Sequence, residues 1–180
     1  RYTAPLDLRL PVQLRAAAFA ADGTPLAPAT THAVDAASLL TRHNAELAVC
    51  PDVGRLLLRL EDDGPLTGER AIFNVTIFHP CWLWPAADLG DIDRLTVRAG
   101  RMPYAFQLAH DEPQRTFLPA RTAHGELQVQ GEGCAGPVLA TVPLPAAPDA
   151  DGFVSLDVPL DTGALGTRRA TDLCLRFTGD

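Results

Sequence analysis

The 180-residue sequence predicts an all-β protein folded as an antiparallel β-sandwich, on three observations. Apolar and polar residues alternate along several short segments, which is the period of a strand with one buried face. Clusters of Gly, Pro and Asp separate these segments, as tight turns require. Helical periodicity is scarce. A chain of this length buries about 70% of the surface that its unfolded form exposes, so the sandwich needs no metal or disulfide to fold.

Five segments carry the alternation and are predicted to be strands. The clearest of them, residues 153–160, places four aliphatic side chains on one face and polar residues or proline on the other. The inward residues are predicted to be Phe73, Val75 and Ile77; Leu95, Val97 and Ala99; Leu127 and Val129; Val154, Leu156, Val158 and Leu160; and Leu173, Leu175 and Phe177. Strands of this kind, separated by turns, are typical of jelly rolls and other sandwiches.

One short helix is predicted, with Asp35 as its N-cap. It lies between two unlike regions. Residues 1–35 hold only one or two strands, too few to close a core, and are interpreted as a β appendage. Residues 36–44 form a helical linker, and residues 45–180 have the size of one jelly-roll domain.

The charge balance argues against two classes of partner. A net charge of −7 and a pI near 5.1 disfavour nucleic acid and anionic membranes, since both bind basic surfaces. No run of about 18 apolar residues is present. All 15 basic residues are Arg, which is typical of GC-rich bacterial genomes. The sequence opens without a signal peptide and within a strand-like pattern, so we expect it to be part of a longer polypeptide.

Four cysteines, Cys50, Cys81, Cys134 and Cys174, permit three disulfide pairings. We expect Cys50–Cys81 and Cys134–Cys174, because this pairing links neighbours in sequence. The alternative is four buried thiols that act as small hydrophobic residues. No CxxC spacing occurs, and no His stands at metal-ligand spacing from a cysteine pair, so a zinc site is not expected.

Trp82 and Trp84 are the first candidates for ligand binding. At positions i and i+2 of an extended segment they share one face, and two such rings can stack on sugars or form an interface. The alternative is that both rings cover the end of the sandwich core, since tryptophan is highly buried on average.

A second aromatic pair, Tyr104 and Phe106, precedes a polar stretch and also shares one face. Beside it Arg115, His110 and Asp111 are candidates for hydrogen bonds to sugar hydroxyls. The alternative for this group is ordinary strand packing.

The run His110-Asp111-Glu112 has two interpretations. Titratable neighbours do acid-base work when their environments drive their pKa values apart. Neighbouring side chains of an extended chain point to opposite faces, however, and Pro113 prevents a helix from starting here. The spacing therefore favours a polar loop, and the alternative is a small free-standing carbohydrate-active enzyme that uses this cluster.

Three consecutive acidic residues, Glu61, Asp62 and Asp63, form a candidate calcium site, because Ca²⁺ prefers clustered carboxylate oxygens. They lack the spacing of an EF-hand loop, and a solvated turn is the alternative. No other cofactor is predicted.

Residues 1–27 resemble the second half of the small β domain that follows the catalytic barrel in bacterial β-N-acetylhexosaminidases, also called chitobiases, of glycoside hydrolase family 20. The residues that carry this resemblance are Tyr2, Pro5, Leu6, Arg15, Ala16, Phe19 and Gly23. The remainder resembles the C-terminal extension of some of these enzymes, a galactose-binding-like jelly roll similar to family 6 carbohydrate-binding modules. The stretches concerned include "LRLEDDGP", "FHPCWLWP", "GPVLATVPLP" and "DLCLRFTGD".

The resemblance implies a noncatalytic accessory domain that contacts glycans containing N-acetylglucosamine or stabilises the catalytic barrel of the parent chain, its expected partner. The catalytic Asp-Glu pair of the family lies on that barrel, so this fragment is not expected to be an enzyme. Asp111-Glu112 stands in the context of the accessory domain instead. A periplasmic or secreted location is implied. The alternative is a purely structural domain without a ligand.

Overall fold

The computed structural model describes residues 3–51, 57–61, 66–67, 70, 72–76, 79–100, 110, 113, 115–150, 152–168 and 170–179. The chain divides into two compact units, residues 1–42 and 43–180. Within the described ranges, no helix has the length and hydrophobicity that crossing a membrane requires.

The first unit contains an antiparallel hairpin of β1 (Val12–Ala16) and β2 (Thr30–Val34). Within the connection between these strands, an isolated antiparallel bridge pairs Phe19 with Pro25. Gly23 has φ +86°, a left-handed conformation that suits glycine at the tip of the connection. Residues 1–35, predicted to be a β appendage, fall within this unit, which also includes the predicted helix.

The predicted helix forms as a single turn, α1 (Ala36–Leu39). The Asp35 carboxylate accepts a hydrogen bond from the Ser38 N–H at 2.7 Å, and the Ser38 hydroxyl oxygen accepts one from the Asp35 N–H at 2.9 Å. Asp35 is thus confirmed as the N-cap. Leu39 and Leu40 stay about half exposed, so the helix buries no apolar face and ends after one turn.

The described residues of the second unit form nine strands. They are β3 (Ala48–Val49), β4 (Leu57–Glu61), β5 (Ile72–Thr76), β6 (Cys81–Asp88), β7 (Arg94–Gly100), β8 (Glu126–Gln130), β9 (Val138–Pro143), β10 (Phe153–Pro159) and β11 (Ala170–Phe177). Five of them form an antiparallel sheet in the order β3-β6-β11-β8-β9, while β7 pairs with β10 and β4 with β5. Two 3-10 helices, Asn44–Glu46 and Thr162–Leu165, complete the described elements.

The core lies between the five-stranded sheet and the β7–β10 pair. Leu127, Val129 and Leu173 of the sheet are fully buried, and they pack with Leu156 and Val158 of β10. These residues are among those that the alternation predicted to point inward. The packing of two antiparallel layers confirms the β-sandwich; the finer jelly-roll connectivity stays a prediction.

Strand β5 departs from its predicted pattern. Asn74, predicted to face outward, is its buried residue, whereas Phe73 and Val75 are half-buried. The 3-10 helix before β3 lies against this strand: the Asn74 side-chain amide donates to the Asn44 carbonyl at 3.5 Å, and the Asn74 backbone N–H donates to the side-chain oxygen of Asn44. A polar partner therefore replaces solvent on that face. Ile77 lies outside the described residues.

The two edges of the five-stranded sheet are both interrupted. Strand β3 has only two residues, and Pro137 and Pro143 stand at the two ends of β9. Proline lacks the N–H that a further strand would need. The carbonyl of Leu139 accepts a hydrogen bond from the Asp161 N–H at 2.8 Å, so part of the outer side of β9 is also occupied.

Candidate functional site

One face of the five-stranded sheet packs on the core, and the other, which we call the cysteine face, is also buried in part. Its residues are Cys81, Glu126, Gln130, Cys174 and Arg176. In the strand register Cys174 lies opposite Gln130, and Arg176 lies opposite Cys81. Cys81 and Cys174 are fully buried and Glu126 is 3% exposed, although the alternation predicted an outward side for Cys174 and Glu126.

Disulfides join Cys50 to Cys81 and Cys134 to Cys174, with Cα–Cα distances of 5.6 and 5.0 Å. This is the pairing that the order of the cysteines along the chain predicted. The two bridges are in contact, because the four Sγ atoms all lie within 4.8 Å of one another. The contact between the bridges was not predicted, since nothing in the sequence spacing brings the two pairs together.

Glu126 joins the end of the chain to the loop before β8. Its carboxylate accepts hydrogen bonds from the Arg121 N–H at 3.0 Å, the Thr122 N–H at 2.6 Å and the Thr178 hydroxyl. The Thr178 hydroxyl, followed by Thr122 and the backbone N–H groups, holds the pKa of Glu126 below its ordinary value. Because these hydrogen bonds all hold parts of the fold together, Glu126 acts as a structural carboxylate.

A small cleft opens where β6 and β11 run out of register, and we call it the β6–β11 cleft. It has a volume of about 300 Å³. The residues that line it are Ala86, Glu132, Arg168, Ala170, Thr171 and Asp172. A shift in the pairing of β11 with β6 between Thr171 and Leu173 produces the opening.

The rim of the cleft is polar and has an unusual backbone. Ala86 and Glu132 have φ values of 49° and 58°, the left-handed region that residues with a Cβ seldom adopt. The Ala86 N–H donates to the Asp172 carboxylate at 2.8 Å, and the Glu132 N–H donates to the Thr171 hydroxyl oxygen at 2.7 Å. The Glu132 side chain forms an exposed ion pair with Arg168. These contacts hold both strained residues in place.

The loop of residues 131–137 connects this cleft with the cysteines. The Gly133 N–H donates to the Asp172 carbonyl at 2.8 Å, and Cys134 is bonded to Cys174 of the same strand. A Cβ at Gly136 would stand 1.9 Å from the carbonyl oxygen of Gly131, so only glycine fits there. The loop is thereby fixed on β11 and carries Glu132 to the cleft.

Both candidate tryptophans lie on the core side of β6 and are half-buried. The Trp82 ring meets Phe177 edge to face with centroids 5.9 Å apart, and its indole N–H donates to the Asn74 carbonyl at 3.3 Å. Trp84 packs against the central aliphatic cluster. This arrangement favours the interpretation of both rings as core residues, and stacking on a sugar stays a prediction.

The structure does not gather the other candidates for sugar binding among the residues that it describes. His110 is exposed, and the Arg115 guanidinium lies over the Phe117 ring at 4.8 Å. Tyr104, Phe106 and Asp111 lie outside the described residues, as does Glu112 of the alternative catalytic cluster. The roles of these residues stay predictions.

The candidate calcium site is described only at its first residue. Glu61 ends β4 with its side chain exposed, and its carboxylate lies 3.6 Å from the Arg70 guanidinium. Asp62 and Asp63 lie outside the described residues, so calcium binding stays a prediction.

Comparison of this chain with family models, with curated proteins and with solved structures gives no match. The resemblance to the accessory region of family 20 hexosaminidases therefore stays a prediction from the sequence.

Proposed function

We propose that residues 43–180 form a noncatalytic module that contacts glycans through the β6–β11 cleft. The resemblance to the accessory region of family 20 hexosaminidases supports this, and it suggests glycans containing N-acetylglucosamine and a catalytic barrel elsewhere in the parent chain. Two disulfides fit a periplasmic or secreted location, since such bonds persist in oxidising compartments. The single observation that carries the proposal is the polar cleft itself.

The groups around the cleft suit sugar hydroxyls. Carboxylates accept hydrogen bonds from hydroxyl groups, and Glu132 and Asp172 present two of them. The Arg168 guanidinium supplies donors next to them. A volume of about 300 Å³ is at the small end of ligand sites, which suits one or two sugar residues better than a long chain. Weak binding is expected, because an exposed polar site yields little free energy beyond the cost of ordering.

A second candidate function is architectural, and the position of the tryptophans favours it. Trp82 and Trp84 share the inner face of β6 and take part in packing there. In this case the sandwich supports the parent enzyme and binds no soluble glycan. A free-standing enzyme that uses His110, Asp111 and Glu112 has no comparable support, since only His110 of the three is described and it is exposed.

The test is a titration of the oxidised chain with N-acetylglucosamine oligomers, followed by NMR shifts of backbone amides and of the two indole N–H groups. We expect saturable shifts at the cleft residues. Glu132→Gln should weaken binding about tenfold, the effect of losing a hydrogen bond to a charged group. Asp157→Asn is the matched control, because Asp157 is an exposed carboxylate paired with an arginine, Arg94, on another strand.

The three outcomes separate the candidates. Shifts at the cleft that Glu132→Gln weakens and Asp157→Asn leaves unchanged support the proposal. Shifts centred on the indole N–H groups would contradict the cleft and restore the tryptophans as the binding surface. No shift with any oligomer would contradict glycan binding and leave the architectural role.

A further inference from the structure

The four cysteines form one cluster because they lie in, or shortly after, four strands that are neighbours in the sheet. Cys50 follows β3, Cys81 begins β6, Cys174 lies within β11, and Cys134 stands in the loop after β8. The sheet includes the neighbouring strands β3-β6-β11-β8 in this order, so the four cysteines lie in these strands or follow them along the chain. The cysteines lie far apart in the sequence, and only the pairing of strands in the sheet brings them together.

The distances between the two bridges match a tetrahedral metal centre. Zinc binds thiolate sulfur at about 2.3 Å, so the sulfurs of a tetrahedral site lie about 3.8 Å apart. The four distances across the bridges are 3.3 Å for Cys50–Cys134, 3.6 Å for Cys81–Cys174, 3.7 Å for Cys50–Cys174 and 3.9 Å for Cys81–Cys134. Four of the six edges of a tetrahedron are therefore already near the required length. The other two edges are the disulfide bonds themselves, and their reduction allows the sulfurs of each pair to move apart to the same length.

The surroundings also fit a metal with sulfur ligands. Cys50, Cys81 and Cys174 are buried, which excludes water, while Cys134 is half-buried and offers a route of entry. The Arg176 Nε donates to the Cys81 sulfur at 3.4 Å. Zinc with four thiolates carries a net charge of −2, half of which the guanidinium offsets, and such donors around the ligands tune a metal site.

We propose that this cluster is a tetrathiolate zinc site whenever its cysteines are reduced. Each disulfide takes up two electrons and two protons from a dithiol reductant, which itself becomes a disulfide, so the two bridges yield four thiols. Zn²⁺ then forms four Zn–S bonds and displaces four protons. The same residues thus stabilise the sandwich by two bridges in an oxidising compartment and by one zinc ion in a reducing one.

The experiment uses the whole chain, reduced under nitrogen with a phosphine that is oxidised to its oxide and then removed by desalting. Titration with Co²⁺ should produce the intense visible bands of a tetrahedral cobalt thiolate, saturating at one ion per chain. Zn²⁺ should abolish these bands, and native mass spectrometry should show a single zinc adduct. Absence of the bands, or the weak spectrum of six-coordinate cobalt, would contradict the proposal.

Two variants and a control locate the site. Cys134→Ser removes the most accessible ligand and should weaken cobalt binding at least tenfold, since even loss of a group outside the ligands costs about 10- to 100-fold. Arg176→Gln should weaken binding within that range without changing the bands. Arg98→Gln, which alters an exposed arginine of β7, should change neither. Equal binding by the wild type and Cys134→Ser would overturn the proposal, even if the reduced chain unfolds without metal.

Discussion

The two faces of the five-stranded sheet are buried by different physical means, although alternate residues of the same strands form them. The core face holds Leu127, Val129 and Leu173, whose burial is non-directional and follows apolar area. The cysteine face is held by covalent bonds and by the hydrogen bonds of one carboxylate. A strand buried on both faces thus need not be apolar on both, provided that directional contacts occupy the second face.

The largest change in stability should come from removal of one bridge on the cysteine face. The bond between Cys134 and Cys174 spans 40 residues, and loop-closure entropy predicts a loss of about 4 kcal/mol for Cys134→Ser/Cys174→Ala. Urea unfolding under oxidising conditions measures it. Ser155→Ala, on an exposed position of β10, is the control. A loss below about 1 kcal/mol would mean that the fold, and not the bridge, holds the loop of residues 131–137.

The next largest change should come from the core face. Leu127→Ala removes a fully buried side chain and should cost about 3 kcal/mol, the sum of lost burial and the cavity left behind. Leu83→Ala, on the side of β6 that bears Cys81, removes a half-buried leucine and should cost less than half as much. Equal losses in the two urea titrations would contradict the division between the faces.

The contribution of Glu126 depends on pH. Because the Thr178 hydroxyl lowers the pKa of Glu126, its ionised form stabilises the fold above the unfolded pKa of about 4.3. This stability is lost as the pH falls through the lower folded pKa. Glu126→Gln should therefore be less stable than the wild type at pH 7, and the difference should shrink on acidification below about pH 4.3. A difference that stays constant down to pH 2 would exclude the carboxylate as its cause.

The smallest change is expected at the ion pair of Arg94 and Asp157 on β7 and β10. Both side chains are more than half exposed, and solvent screens such pairs. Asp157→Asn should unfold at the same urea concentration as the wild type within experimental error. A clear loss of stability would show that directional contacts also stabilise the layer formed by β7 and β10.

Alternation along the sequence predicted the strands of the core well, because the period of two reports which residues of one strand share a face. It predicted the inward positions of Leu127, Val129 and Leu173, whereas the cap at Asp35 was predicted separately, from its position at the start of the short helix. It did not predict that Glu126 and Asn74 are buried, since Thr178, which contacts Glu126, and Asn44, which contacts Asn74, lie 52 and 30 residues away. The sequence of one strand does not show which distant residues will cover its polar side.

The candidate sites were harder to predict for the same reason. The pairing of the cysteines followed from their order, but their gathering into one cluster depends on the order of strands in the sheet. The β6–β11 cleft depends on a shift of register and on left-handed backbone at Ala86 and Glu132, neither of which a residue type signals. The aromatic pair Trp82 and Trp84 was visible in the sequence because its spacing alone places it on one face.

The interrupted edges of the sheet have a consequence for solubility at high concentration. A second copy that approaches β9 meets prolines at both ends and a carbonyl already engaged by Asp161, and at β3 it finds only two residues to pair with. Growth of a continuous ladder from chain to chain, the first step towards fibrils, has no template at either edge. Copies of the module held side by side should therefore not join through the edges of this sheet.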